Sequence, residues 1–438
     1  MVYFFLSLPG AIAAILLWRY LHLTGQPDLA SHLLFLPVHS DEQLLSEAEA
    51  KALRDVALSR IKTFHTNDRW TPPPTFEHIG EAVPIGPQRS CKHAPHPLFV
   101  PSRNGSLCIL PSNVDVVQKW LHYGGVEALK ETSDFLAARA TAFASYDFDA
   151  SKDAAVQQLF ASERFRAHAR RACPRDRQLL DSWSVQFLIH VPGQSQPVQT
   201  MPAYFFGATP DRFPQWVLST MSHSGVFRDK YIAQVQVMTF IHEWNATAER
   251  GGAFVFWRDD ARSPLHVMPQ SRSSIAFDGA RIVHTMSVYK GRAGTFPPPP
   301  PVVPGADCAL THVGDDQWQL ACDGAVVGRY ATADLRIATV YRAKCFKDEA
   351  SADAFRAFPA ASMFLLDEIA SIFRRDLEMR WRIRLGEEVA PVDFALRMIK
   401  EYVRLPHSPL SKQPFNFCSW SLYYPLLEAP LRQFCNFL

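Results

Sequence analysis

The sequence carries almost no excess charge of either sign. Its 438 residues hold 45 Lys+Arg against 43 Asp+Glu, a formal net charge of +2, and no basic run stands out. Domains that bind nucleic acids usually display a basic patch or stripe. The charge balance therefore argues against a nucleic-acid partner, and the 47% hydrophobic content indicates a folded protein rather than a disordered one.

The sequence also lacks closely paired cysteines. Its eight cysteines, at positions 91, 108, 173, 308, 322, 345, 418 and 435, include no CxxC pair. Zinc knuckles need such pairs, so this class of metal site is excluded. The scattered spacing predicts buried thiols with one or two disulfide bridges.

Long hydrophobic runs are absent except at the N-terminus. Val2–Trp18 is uncharged and apolar, and as a helix it would span roughly 26 Å, against about 30 Å for the hydrocarbon core of a bilayer. No Lys or Arg precedes it, unlike a typical cleaved signal. We therefore predict a single-pass membrane anchor within residues 1–25, with a cleaved signal or a buried helix as alternatives.

An anchor of this kind places the protein in a membrane, and we expect an endomembrane, either endoplasmic reticulum or Golgi. Arg19 is too little charge to decide which side of the membrane the domain faces. Two glycosylation sequons, at Asn104 and Asn245, matter only for a lumenal domain.

Helical periodicity flanks the centre of the chain on both sides. Residues 26–180 contain helical patterns at Asp41–Thr63, Asn113–Phe143 and Ala154–Ala172. These helices either buttress a sheet or form a separate helical domain. Residues 347–438 repeat the pattern at Asp348–Arg384 and Pro391–Val403.

The tail Phe415–Leu438 is aromatic and apolar. Core packing is the expected role, and contact with a membrane surface or with a second subunit is the alternative.

The centre of the chain has β character. A β-rich run covers Tyr231–Trp244, and Gly251-Gly252 follows it. Further short apolar runs are separated by Pro, Gly, Asp or Ser; they lie at Ala253–Trp257, Leu265–Met268, Ser274–Phe277 and Arg281–Val288. Short strands with frequent turn signals predict an antiparallel β-sandwich or barrel.

This layout, with one histidine (His284) on the last run, resembles the double-stranded β-helix (jelly-roll) of Fe(II)/2-oxoglutarate oxygenases, most closely the prolyl-hydroxylase type. The resemblance covers Trp183–Phe346. It implies an α+β fold in which a jelly-roll core at 181–346, with an insertion at 293–333, is flanked by N- and C-terminal helices. Fe(II) and 2-oxoglutarate are the cofactors that it implies.

In that family a His-x-Asp motif and a distal histidine hold iron, because two imidazoles and one carboxylate leave open positions for 2-oxoglutarate and O₂. The motif is degraded here. By spacing it falls on Gln199-Thr200-Met201; the other candidate is His223-Ser224-Gly225, in which glycine replaces the carboxylate as in the family's halogenases.

The resemblance makes His223 and His284 the candidate metal ligands. Two further side chains are candidate substitutes: Asp229 for the missing carboxylate and His242 for a histidine.

A basic residue on the final strand clamps the distal carboxylate of 2-oxoglutarate in the family. Leu335–Phe346 predicts that strand, and Arg336 is the first candidate, ahead of Arg292 and Lys290. Before it, Asp323-Gly324 joins the two halves of a predicted hairpin within Trp318–Tyr330.

Two functions follow from the resemblance. One is a membrane-associated dioxygenase that hydroxylates a C–H bond. The alternative is an inactive pseudo-oxygenase that kept the barrel as a binding or scaffold module, favoured by the missing carboxylate. A third interpretation is a cupin-like or lectin-like jelly-roll without metal, in which His223 and His284 would lie far apart.

Overall fold

A computed structural model describes residues 29–66, 83–84, 100–101, 107–109, 142–147, 153–245, 247, 249–259, 264–292, 297, 300–302, 306–386, 388–389, 391–403 and 426. The predicted anchor, most of the predicted helix Asn113–Phe143 and nearly all of the apolar tail lie outside the described residues, so these three stay predictions. In the part that is described, no helix is both long enough and apolar enough to cross a membrane.

The described chain is built mainly from antiparallel strands. They are β1 (Val38–Asp41), β2 (Thr63–Thr66), β3 (Val83–Pro84), β4 (Val100–Pro101), β5 (Leu107–Ile109), β6 (Phe143–Asp147), β7 (Leu179–His190), β8 (Gln196–Gln199), β9 (Tyr204–Phe205), β10 (Tyr231–Ile232), β11 (Gln234–Phe240), β12 (Phe254–Trp257), β13 (Leu265–Val267), β14 (Ser274–Phe277), β15 (Val283–Met286), β16 (Cys308–Gly314), β17 (Gln317–Cys322), β18 (Ala325–Ala331) and β19 (Arg336–Phe346).

Two sheets form the core. The major sheet has the order β1-β14-β11-β19-β7-β6-β2-β16-β17-β18, and the minor sheet has the order β13-β12-β15-β8. The two sheets share a core of eight strands. The major sheet contributes β7, β11, β14 and β19, and the minor sheet contributes β8, β12, β13 and β15. The chain therefore crosses repeatedly from one sheet to the other, with only β12 and β13 following each other in the same sheet. This winding is that of a double-stranded β-helix, so the jelly-roll core predicted from the sequence is present.

The two sheets face each other across an apolar layer. Side chains from β7, β11, β14 and β19 of the major sheet meet those of β12 and β15 of the minor sheet in one buried cluster. Because successive side chains of a strand point to opposite faces, only alternate residues enter this interior. On each strand, therefore, only every second residue can contribute to a site inside the barrel.

Helices cover both outer faces. They are α1 (Glu47–Asp55), α2 (Ala154–Ala161), α3 (Glu163–Arg170), α4 (Gln215–Ser224), α5 (Glu349–Arg356), α6 (Leu366–Trp381) and α7 (Pro391–Tyr402). The first three share a buried cluster with the outward-facing side chains of the major sheet. Helices α4, α6 and α7 share another with Val255, Trp257 and Val283 of the minor sheet.

Several sequence-predicted elements are shorter or more broken than the patterns suggested. The helix predicted over Asp348–Arg384 is divided into α5, a short turn at Ala360–Ser362, and α6. Pro359 lies at this break, and a proline disfavours helical backbone in the residue before it. The predicted insertion supplies β16, β17 and β18, which extend the major sheet beyond β2.

Disulfides tie these layers together. Cys173, just after α3, is bonded to Cys345 on β19, and Cys308 is bonded to Cys322 across the β16–β17 pair. Cys108 is also disulfide-bonded, and no free cysteine occurs among the described residues. The sequence predicted buried thiols with one or two bridges. Both parts of that prediction are wrong, because the bond of Cys108 is a third bridge and no described cysteine is a free thiol. Spacing cannot show which cysteines the fold brings together.

The two mapped disulfides should differ in their contribution to stability. A bridge restricts the unfolded chain more when it closes a longer loop, which predicts a loss of about 5 kcal/mol for the Cys173–Cys345 bridge and about 3 kcal/mol for the Cys308–Cys322 bridge. The sequence separations are 172 and 14 residues. Urea unfolding of Cys173→Ala/Cys345→Ala and of Cys308→Ala/Cys322→Ala measures both losses. A larger loss for the short loop would contradict this ordering.

Candidate functional site

His284 lies inside the barrel. It is 1% exposed, and its ring lies against Phe254, with centroids 5.5 Å apart, and Phe277, at 5.0 Å. The Nδ1–H donates to the carbonyl oxygen of Ile282 at 2.8 Å. With the proton on Nδ1, Nε2 is the nitrogen of the ring that can accept a hydrogen bond or bind a metal.

Gln199 and Met201 face the same interior. Gln199 is the register partner of His284 across the β8–β15 pair, and directly opposed residues point to the same side of a sheet. Met201, two residues on, packs against Gly279: a Cβ on that glycine would lie 3.1 Å from the Met201 Cγ. The position assigned by spacing to the degraded motif is therefore the one that meets His284.

These three side chains do not fit an Fe(II) centre. They offer one imidazole, one amide and one thioether, whereas iron sites of the two-histidine, one-carboxylate class need a hard anionic oxygen donor. Within the described ranges, no group of three His, Cys, Asp or Glu side chains is placed to hold a metal ion. We therefore assign no iron chemistry to this interior.

His223 lies on the other side of the minor sheet. It is near the end of α4, which packs on the outer face, and its Nε2 lies 3.2 Å from the Thr200 Oγ1. Thr200 stands between the inward-facing Gln199 and Met201 and points outward. Complete burial lowers the pKa of His223 to about 3. The structure therefore does not bring His223 and His284 together.

His223 lies on a helix that the sequence analysis did not predict. Pro214 precedes the first residue of α4, and Gly225 ends the helix with a φ of 68°. Proline near the start and glycine just past the end are standard helix boundaries. This signal was available in the sequence.

The substitute ligands also lie elsewhere. Asp229 is exposed beside Lys230. His242 is buried, stacks on Trp244 with 3.8 Å between ring centroids, and its Nε2 lies 2.7 Å from the carbonyl oxygen of Pro269. Burial lowers the pKa of His242 to about 3. It is a satisfied core residue, and neither side chain approaches His284 in these contacts.

Arg336 is the first residue of β19 and is 1% exposed. Its Nη1 donates to the Gly252 carbonyl at 2.7 Å, and its Nη2 lies 3.2 Å from the Met286 Sδ. Its guanidinium also lies over the Tyr289 ring. Burial lowers the pKa of Arg336 to about 9. Among the three candidates for the clamp, it alone shows contacts to the inward-facing Met286.

The other two clamp candidates are placed differently. Arg292 pairs with Asp334 at 2.6 Å, with its side chain 54% exposed. Lys290 is buried beside the turn at Gly251. Met286 lies two residues beyond His284 on the same face of β15 and fills the space next to Arg336.

A cavity of about 210 Å³ lies at the opposite end of the barrel from Arg336, and we call it the mouth cavity. The register places it there: Arg342 pairs with Ser184 and Gln236 at this end, whereas Arg336 pairs with His190 at the other. The described residues that line it are Trp183, Ser184, Met201, Pro202, Tyr204, Pro210, Gln234, Val235, Gln236, Gly279, Ala280 and Arg342.

A β-bulge shapes one wall. Ser184 pairs with Arg342 and Ser182 with Ala343, so Trp183 is an extra residue in β7. A bulge changes the direction of the side chains around it. It explains why the consecutive residues Trp183 and Ser184 both line the cavity, which strict alternation would not allow. No sequence pattern indicates this bulge.

The mouth cavity is aromatic and basic. Arg342 is the one charged residue among the described residues of its lining, and its Nη2 donates to the Gln186 Oε1 at 3.1 Å. Behind it, the Lys344 ammonium lies 4.4 Å from the Tyr204 ring centroid and 5.3 Å from that of Trp183. Burial lowers the pKa of Lys344.

Three lining residues carry a buried polar atom that has no hydrogen-bond partner in the described part of the chain. They are the Trp183 Nε1, the Ser184 Oγ and the Gln236 Oε1. Buried polar atoms in native proteins are almost always bonded to protein or water, and each exception calls for an explanation. Three such atoms around one cavity are explained by a polar ligand, or by ordered water, in that cavity.

The floor of the cavity is held by a buried carboxyl group. The Tyr231 hydroxyl lies 2.7 Å from one Asp278 oxygen, and the Ala280 N–H donates to the other at 3.1 Å. Burial raises the pKa of Asp278 to about 6. Gly279 lies close beside it: a Cβ there would be 3.0 Å from the Gln236 Oε1, so a larger residue would crowd that side chain.

No protein-family model and no curated protein matches the sequence. Among solved structures, the chain is similar to a prolyl-4-hydroxylase of Pseudomonas putida, at 10% identity and a TM-score of 0.25, over 47% of this chain and 73% of that one. It is also similar to HygX of Streptomyces hygroscopicus with nickel and 2-oxoglutarate bound, at 10% identity and a TM-score of 0.28, over 71% and 83% of the two chains.

A third similar structure is the viral collagen prolyl hydroxylase of Paramecium Bursaria Chlorella virus-1, at 10% identity and a TM-score of 0.24, over 70% of this chain and 95% of that one. The solved structures to which the chain is similar thus include prolyl hydroxylases, the type that the sequence resembles. The assignment of the double-stranded β-helix itself rests on the strand order of the two sheets.

Proposed function

We propose that this protein is a binding module built on an oxygenase-type double-stranded β-helix, and that it does not use iron. The observation that carries the proposal is the residue set facing His284. Gln199 and Met201 occupy the positions that would have to supply a histidine and a carboxylate.

The mouth cavity is the proposed binding site. Arg342 supplies the only charge in the described lining, and Trp183 and Tyr204 supply aromatic faces. The partnerless polar atoms of Trp183, Ser184 and Gln236 would gain hydrogen bonds from a ligand with both donors and acceptors. These features together favour a small, flat, anionic molecule.

We further propose that the protein is tethered to an endomembrane and exposes this domain to the lumen. The uncharged stretch Val2–Trp18 supports the tether. The disulfides Cys173–Cys345 and Cys308–Cys322 support the lumenal side, because disulfides persist in oxidising compartments and are rare in the cytosol.

A second candidate function is the Fe(II)/2-oxoglutarate dioxygenase that hydroxylates a C–H bond. The inward positions of His284 and Arg336 favour it. This function requires metal ligands in addition to Gln199, Met201 and His284. Titration with Fe(II) and 2-oxoglutarate decides between the two functions.

Binding at the mouth cavity is tested with matched aromatic probes, benzoate and its neutral counterpart benzamide. We expect the wild-type protein to bind benzoate more tightly than benzamide, because a hydrogen bond from a charged group contributes about 1.5–3 kcal/mol. Arg342→Met should weaken benzoate binding about 10- to 100-fold and leave benzamide binding little changed. Ligand-observed NMR gives both dissociation constants.

Arg329→Met is the matched control, because Arg329 lies on the exposed strand β18, outside the cavity lining. It should bind both probes like the wild type. Equal affinities for benzoate and benzamide, or an unchanged benzoate affinity in Arg342→Met, would contradict an anion site in the mouth cavity.

A further inference from the structure

A glycosylation sequon lies in an exposed loop of the described domain. Asn245, Ala246 and Thr247 form the Asn-x-Thr pattern, with no proline at the middle position. The loop follows β11, and both Asn245 and Thr247 are exposed. The second sequon, at Asn104, lies outside the described residues, so the structure bears on the Asn245 sequon alone.

The side chains of the sequon are not used to hold the fold. Within the described ranges, the Asn245 side-chain amide takes part in no hydrogen bond. The Thr247 Oγ1 accepts a hydrogen bond from the Arg250 N–H at 3.4 Å, which leaves its own O–H able to donate. A substituent on the Asn245 amide nitrogen would therefore extend into solvent without breaking a described contact.

The loop is anchored on both sides of the sequon. Before it, the Trp244 Nε1 donates to the Leu335 carbonyl at 2.8 Å. After it, the Arg250 N–H donates to the Thr247 carbonyl at 3.1 Å, and the Arg250 Nη1 donates to the Ala333 carbonyl at 3.4 Å. These bonds hold the sequon at the end of the barrel where β19 begins.

The mouth cavity lies at the other end. Gln234 and Gln236, near the start of β11, line that cavity, whereas the sequon follows Phe240, the last residue of the strand. From Gln234 to Phe240 the strand rises about 20 Å. A glycan on Asn245 would therefore cover the end of the barrel opposite the mouth cavity and leave the cavity open.

We propose that Asn245 carries an N-linked glycan. The proposal rests on the lumenal side of the proposed function, which the two mapped disulfides support. The Asn245 amide nitrogen bonds to the anomeric carbon of an oligosaccharide that is supplied as a lipid diphosphate. The bond from that carbon to the diphosphate oxygen breaks, the lipid diphosphate leaves, and the amide gives up one proton. The bulky, solubilising sugar then shields this end of the barrel.

The experiment expresses the full chain in mammalian cells and treats the purified protein with peptide N-glycosidase in H₂¹⁸O. The enzyme removes an N-linked glycan and converts its asparagine to aspartate that contains one ¹⁸O atom. Mass spectrometry of the peptide that contains Asn245 should show this label. A sample incubated in H₂¹⁸O without the enzyme is the control and should show none.

Two variants at Thr247 test recognition through the sequon while keeping Asn245. Thr247→Ser retains the hydroxyl group and should retain the label, whereas Thr247→Ala removes the hydroxyl group and should lose the label. Both substitutions are at an exposed position, so both proteins should fold. A label at Asn245 that persists in Thr247→Ala would contradict modification through this sequon.

The position of the glycan is tested by binding at the mouth cavity. Enzymatic removal of the glycan from the native protein should change the dissociation constant for benzoate less than about twofold, because distant sites couple weakly. A larger change would contradict the placement of the glycan at the opposite end of the barrel.

A reporter sequon separates this site from the lumenal location. Asp323→Asn/Ala325→Thr creates Asn-Gly-Thr on the exposed turn between β17 and β18, and asparagine keeps an oxygen for the Asp307 N–H. Label at both position 245 and position 323 is the expected result. Label at 323 alone would overturn the Asn245 site and leave the lumenal side standing. Label at neither position would overturn both.

Discussion

Replacing Gln199 by histidine and Met201 by aspartate is expected to create a divalent-metal site that the described interior of the wild-type barrel does not offer. Gln199 already faces His284 across the β8–β15 pair, and Met201 follows two residues later on the inward side. The double substitution would supply a second imidazole and a carboxylate. Loss of even an outer-shell partner changes metal affinity about 10- to 100-fold, so two new ligands should raise the affinity by at least about 100-fold.

Titration with Co(II), read by calorimetry and by elemental analysis after gel filtration, measures this gain without any need for activity. Adding His284→Ala to the double variant should remove the site again. A double variant that binds no more Co(II) than the wild type would mean that these three positions do not converge. Gain of binding that survives His284→Ala would mean that the metal lies elsewhere.

Acidification should destabilise the protein steeply between about pH 6.5 and pH 4. Burial lowers the pKa of His168 to about 4 and the pKa values of His223 and His242 to about 3, against about 6.5 for an unfolded histidine. In this window the unfolded chain binds more protons. The stability from these groups is therefore fully present above pH 6.5 and is lost as the pH falls toward the folded pKa values.

Asp278 acts in the opposite direction. Its pKa is raised by burial to about 6, so the folded state binds the extra proton between pH 6 and about 4. For each proton by which the unfolded and folded states differ, the free energy of unfolding changes by about 1.4 kcal/mol per pH unit. Three histidines opposed by one carboxyl group give a net loss of about 3 kcal/mol per pH unit near pH 5.

Two variants separate these contributions. Within the described ranges, neither ring nitrogen of His168 has a hydrogen-bond partner. His168→Leu therefore removes one of the groups that bind a proton only in the unfolded chain, without breaking a described hydrogen bond, and should make the pH dependence of stability shallower. Asp278→Asn should make it steeper. Urea unfolding at a series of pH values measures the slopes, and a His168→Leu slope equal to that of the wild type would contradict this assignment.

The fold was predictable because its signals are local and repeated. Short apolar runs with turn residues between them gave the order of β11, β12, β13, β14 and β15. The final strand was predicted from Leu335, and β19 begins at Arg336. Its alternation also explains why Arg336, Arg342 and Lys344 share the inward face, since residues two apart lie on one side of a strand.

The candidate site was harder to predict because it depends on contacts between distant segments. The bulge at Trp183 depends on how β7 pairs with β19, about 160 residues later. The separation of His223 from His284 depends on which face of the minor sheet α4 covers. Sequence spacing assigned the degraded motif to Gln199 and Met201. It could not show whether another described side chain replaces the missing carboxylate.

Anaerobic titration of the full wild-type chain with Fe(II) and 2-oxoglutarate tests the central claim most directly. The visible metal-to-ligand charge-transfer band of 2-oxoglutarate oxygenases is the signal, and iron retained after gel filtration is the second measurement. A binding module whose interior offers Gln199, Met201 and His284 predicts no band and no retained iron. A saturable band that disappears in His284→Ala would contradict the account and establish a working oxygenase site.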